Sequence, residues 1–106
     1  MRNPVRGEID AKLDGKSWTL CLTLGSLAWL ESQLEAANLV ELGEKFSSGK
    51  LRSDDLAKVI TAGLIGSGHE VTLEEVAQMR VENGVNGYVD IAARLLTATF
   101  SDDTTE

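Results

Sequence analysis

The chain has 106 residues, enough for one domain around one core. Its 42% hydrophobic and 25% charged residues describe an ordered globular protein and exclude wholesale disorder. Ten basic residues face seventeen acidic ones, a net charge of −7, which argues against a nucleic-acid partner because phosphate binding needs a basic face.

The first element is a hairpin. From Val5 to Leu13 apolar or small residues alternate with charged ones, Asp14-Gly15 supplies a two-residue type I′ turn, and Ser17 to Leu22 alternates in the opposite phase. A turn at 14 and 15 pairs Ala11 with Trp18, Ile9 with Leu20 and Gly7 with Leu22 on one face. Lys12 then faces Ser17, and Asp10 faces Thr19, on the other. Two strands are marginal alone, so helices must cover the apolar face.

Everything after Thr23 reads as helix and connector. Thr23 is the expected N-cap of a helix whose stripe is Leu24, Leu27, Leu30 and Leu34. Asn38 with Glu41 opens a second, short helix carrying Val40, Leu42 and Phe46 and ending at Ser47-Ser48-Gly49. Ser53 caps a third, with Asp54 and Asp55 in its first turn, where the helix dipole favours acids. Leu56, Val59, Ile60 and Leu64 form its stripe, and Gly66-Ser67-Gly68 stops it. Thr72 with Glu75 is the best capping box in the chain and opens a fourth helix with Leu73, Val76 and Met79, ended by Asn83-Gly84. A fifth runs from about Gly87 to Thr99 with Tyr88, Ile91, Ala92, Leu95 and Leu96 apolar. The expected fold is α+β, mostly helical: an N-terminal β-hairpin followed by about five short α-helices in two layers. Residues 1–100 form a single domain, and Ser101 to Glu106 an acidic, disordered tail.

No reactive set emerges. Cys21 is the one cysteine, which points to a reducing compartment and, on the polar face of the hairpin, to an inert thiol. His69, the one histidine, lies in a connector and reads as a solvated loop residue. The pairs Asp54-Asp55 and Glu74-Glu75 sit in helix first turns, where capping explains them, and Asp102-Asp103 lies in the tail. Gly63, Gly66 and Gly68 lack the Gly-Lys-Ser or Gly-Lys-Thr of a phosphate loop. No catalytic, cofactor or metal site is expected. No signal peptide is expected at the arginine-bearing N-terminus, and there is no run near the roughly 20 apolar residues of a membrane span. A cytoplasmic protein without membrane contact is expected.

Binding residues are the better question. Trp29 falls nearly opposite the leucine stripe of the first helix, beside Gln33, and is a candidate interface anchor. The alternative is that the hairpin or another helix covers it. Phe100, beside the tail, is a further candidate, and a free hairpin edge is able to accept a partner strand.

Taken in order, Asn3-Pro4-Val5-Arg6-Gly7-Glu8, Leu13-Asp14-Gly15, the run from Leu20 through Gly25-Ser26 to Ala28, and Phe46 before Gly49 form a pattern. Ala62-Gly63-Leu64, Val76-Ala77-Gln78-Met79-Arg80, Ala92-Ala93-Arg94-Leu95-Leu96 and Phe100 continue it. The pattern resembles, over about residues 3 to 100, the small tail-assembly proteins of gene transfer agents and related phages, the tail-assembly-chaperone group. The resemblance implies a non-enzymatic role: a chaperone that binds the tape measure protein and assists assembly of tail-tube subunits. Further copies of the chain itself are also candidate partners. The runner-up is a structural component of the tail, a tube or connector subunit. Its difficulty is that tail-tube proteins are rich in β-sheet. A small hydrolase is a distant third.

Overall fold

The computed structural model describes residues 7–35, 37–38, 40–41, 44 and 52–100, with the side chain of Phe100 excepted. Among them are two strands, β1 (Glu8–Leu13) and β2 (Lys16–Cys21), and four helices: α1 (Leu24–Leu34), α2 (Ser53–Gly66), α3 (Leu73–Ala77) and α4 (Gly84–Phe100). The fold is α+β, as expected. Most of the expected second helix, including Leu42, Phe46 and the Ser47-Ser48-Gly49 break, lies outside the described residues. Val40, Glu41 and Glu44 within it are helical, and the Glu41 amide donates to Asn38 Oδ1 at 2.9 Å. Val5 and the tail from Ser101 also lie outside.

The hairpin has the register that the turn dictates. Ala11 pairs with Trp18, Ile9 with Leu20, Asp10 with Thr19 and Lys12 with Ser17. Asp14 and Gly15 both take positive φ, 58° and 80°, as a type I′ turn requires. The strands are shorter at the open end than the alternation suggests: the ladder stops at Glu8 and Cys21, so Gly7 and Leu22 are not a rung. Ala11, Leu13, Leu20 and Leu22 are buried nonetheless, and Ile9 and Trp18 pack against the core.

Helix α2 is the centre of the domain, packing against β2, α1, α3 and α4. Leu56, Val59, Ile60, Ala62 and Leu64 are all buried. Glycine lets it approach so closely. A Cβ at Gly63 would stand 2.6 Å from Leu95 Cδ2 and 3.0 Å from Leu20 Cβ, and one at Gly66 would overlap the Cys21 carbonyl. Gly63 and Gly66 are thus contact points between helix and hairpin, whereas Gly68 has open space around it.

Three helix boundaries and one buried helix face depart from the sequence reading. The N-cap of α2 is Arg52, with Ser53 the first helical residue; the Arg52 amide donates to Asp55 Oδ2 at 3.0 Å, so the acid at N3 does the capping. Helix α3 ends at Ala77, well before Asn83-Gly84. Those two residues do take left-handed φ, 73° and 59°, but they launch α4, which therefore begins at Gly84 rather than Gly87. In α1, Leu24 is 81% exposed and Ser26 is buried in its stead. Thr23 caps as expected: its amide donates to Ser26 Oγ at 2.7 Å, and the Ser26 amide donates to Thr23 Oγ1 at 3.1 Å. At about 100° per residue, exchanging Leu24 for Ser26 turns the buried arc roughly 40° toward Trp29.

Candidate protein-binding surfaces

That rotation decides the environment of Trp29. It is half-buried and packs against the core. Gln33, one turn on, is also half-buried, and its carbonyl accepts a hydrogen bond from Lys58 Nζ at 3.2 Å, which ties α1 to α2. An ammonium at the C-terminal end of α1 also complements its dipole. Trp29 and Gln33 therefore share a partly covered face of α1. The candidate Phe100 ends α4, at the far end of the chain, and its side chain lies outside the described parts.

The hairpin edges are interrupted. In a ladder counted from a two-residue turn, Asp10 and Cys21 occupy positions whose main-chain groups point outward. Arg94 Nη1 donates to the Asp10 carbonyl at 3.0 Å while its Nε pairs with Asp90 at 3.1 Å. The Cys21 carbonyl faces Gly66 of α2. Each edge thus has one outward carbonyl against a helix, leaving short free stretches for strand addition.

The chemistry-bearing side chains do structural work. Glu75 Oε1 accepts from the Thr72 amide at 2.9 Å, and Thr72 Oγ1 from the Glu75 amide at 3.1 Å, completing the expected capping box. Asp55 is buried at its cap, and exposed Asp54 lies 3.4 Å from Arg52 and 3.9 Å from Lys58. The two acid pairs therefore diverge. Burial, and secondarily the charge of Glu8, push the Cys21 thiol above its ordinary value, the opposite of activation. His69 is not simply solvated: it is half-buried, and its ring meets Trp18 edge-on at 4.9 Å. Trp18 Nε1 in turn donates to the Leu13 carbonyl at 3.0 Å. Among the described residues no three His, Cys, Asp or Glu side chains converge as a metal site, and no helix is long and apolar enough to cross a membrane.

A further surface was not foreseen in the sequence. A groove of about 440 Å³ opens between α2, α3 and α4, within the range of ligand-binding clefts. It is lined by buried Leu56, Ile60 and Val76, half-buried Ala57, Leu73 and Tyr88, and exposed Val85; the Tyr88 hydroxyl donates to the Met79 carbonyl. Val85 is 67% exposed and Val89, one turn along α4, 46% exposed. The available signal was Val85, in line with Tyr88 and Ala92 at helical spacing, with Val89 at the edge of the same stripe of α4.

Over residues 6–102 the chain matches the family described as phage tail tube protein, GTA-gp10. Neither the curated proteins nor the solved structures yield a match. With nearly its whole length matched, every described strand and helix included, the chain belongs to this phage tail family of gene transfer agents.

Proposed function

We propose that the chain is a non-catalytic structural component of a phage-like tail of the gene-transfer-agent kind, working through contacts with other tail proteins. The observation that carries this reading is the family match across residues 6–102, whose description names a tail tube protein. Binding suits the geometry of the described residues: Asp55 and Glu75 serve as caps, burial raises the Cys21 thiol's pKa, and an apolar groove opens between α2, α3 and α4.

One observation favours a second reading, the tail-assembly chaperone that binds the tape measure protein and assists tail-tube subunits. Among the described residues only two strands occur, both in one hairpin. A tube wall made of continuous sheet needs more strands than that.

Gene deletion followed by electron microscopy of released particles tests involvement in tail building. Heads lacking full-length tails support both readings, and normal tails overturn both. Co-expression with the tape measure protein separates them. A soluble complex whose small subunit is missing from finished particles favours the chaperone and overturns the structural component.

A further inference from the structure

From the groove between α2, α3 and α4 we infer that this chain docks an amphipathic helix of another protein, its apolar face seated on Leu56, Ala57, Leu73 and Val85 and its flanks basic. The inference deepens the reading of the chain as a protein-binding tail component and rests on it for the partner's setting. The chemistry of the occupant follows from the groove itself.

The groove is walled by side chains from three helices, and neither hairpin strand borders it. An extended peptide laid there would find no strand edge, and its buried N–H and C=O groups would go unpaired. A helix satisfies its own main chain and offers only side chains, which is what an apolar cleft rewards. Val89, one turn along α4 from the lining residue Val85, continues the apolar surface beyond the groove, which suits a packed helix longer than one turn. Charge settles the flanks. Exposed Asp54 and Glu74 stand on the rim. Asp54 already has Arg52 and Lys58 beside it, whereas Glu74 makes no ion pair among the described residues. A lysine or arginine beside the partner's apolar face would meet Glu74. A second copy of this chain fits less well, since each copy carries a net charge of −7 and would bring acid against acid.

The test titrates the full-length ¹⁵N-labelled chain with a synthetic 18-residue peptide of leucines at helical spacing on one face and lysines on the flanks. Amide shifts are expected to cluster at Leu56, Ala57, Ala77 and Val85. Val85→Lys, at an exposed position, should weaken binding at least ten-fold, and Glu74→Lys several-fold. Leu24→Ser removes an equally exposed leucine elsewhere and should leave binding unchanged. A peptide of the same composition with leucine and lysine alternating, which favours a strand, should not shift these amides. Shifts centred elsewhere, or undiminished binding by Val85→Lys, overturn the inference. So does a dimer that Val85→Lys dissolves, which would give the groove to a second copy. Mass spectrometry of purified particles is the separate check on the underlying reading: a chain present in particles with an inert groove sinks the docking inference alone.

Discussion

Asp14, the first residue of the hairpin turn, is hydrogen-bonded through its main-chain amide to the Arg80 carbonyl at 2.7 Å. The Arg80 amide points back at Asp14 Oδ1 at the long distance of 3.5 Å. The tip of the hairpin is thus fastened to the connector between α3 and α4, 66 residues away. This connection positions the α3–α4 wall of the groove relative to the sheet. Because Asp14 holds φ at 58°, its side chain matters more for conformation than for the long contact. Asp14→Ala should cost about 1–2 kcal/mol in urea unfolding, while Asp14→Asn, which tolerates the left-handed region, should stay within about 0.5 kcal/mol of the parent.

The two glycines of α2 should respond unequally to alanine. At Gly66 the new methyl meets the main-chain oxygen of Cys21, which cannot rotate away. At Gly63 it meets the tip of Leu95, which can, and Leu20 Cβ at 3.0 Å, which has to give by only a few tenths of an ångström. Gly66→Ala is expected to cost about 3 kcal/mol. Gly63→Ala should cost no more than about 1–2 kcal/mol, since better helix propensity offsets part of the strain. Thermal and urea melts of the two variants check the order.

Helix capping gives a third pair of outcomes. Thr72→Ala removes one half of the box that opens a five-residue helix. It should destabilise by about 1 kcal/mol. The same change at Thr23 should cost a similar amount, about 1 kcal/mol, but with a different consequence. There it leaves the buried Ser26 hydroxyl without one of its partners, and the end of β2 should lose protection in hydrogen exchange.

The thiol supplies a pH dependence. Folding raises the Cys21 pKa, through burial first and Glu8 second. The folded state therefore disfavours the thiolate. Its contribution to stability is fully present below the unfolded-state pKa and is lost as pH rises through the folded one. Unfolding free energy should decline on the alkaline side in the native chain and decline less in Cys21→Ser. Disulfide-reagent labelling of folded protein at mildly alkaline pH should be slower than that of urea-unfolded chain. Faster labelling when folded would contradict the deactivated thiol.

Local chemistry was legible in the sequence, and tertiary choices were not. Asp14-Gly15 and the two alternating runs determine the register, because a single turn type satisfies both. Thr23 and Thr72 announce helix starts through their own side chains. Asn83-Gly84 carry the left-handed geometry their composition suggests, yet which helix they serve depends on how the connector after Ala77 meets the hairpin turn. Leu24 fits a leucine repeat, and it was the capping demand of Thr23 that turned Ser26 inward in its place. That same turn left Trp29 half-covered. The groove is assembled from three separate segments, so no single periodicity contains it. Trp29, Gln33 and Phe100 remain proposed contact residues, for which partner binding by Trp29→Ala is the direct readout.

The most direct test of a structural role in the tail is quantitative mass spectrometry of purified particles, with the tail-tube and tape measure proteins as internal standards. A structural component is expected in finished particles at a fixed ratio to those proteins, retained through a high-salt wash. This chain's absence from finished particles, together with its presence in cells bound to the tape measure protein, would contradict the structural role and leave the chaperone in its place.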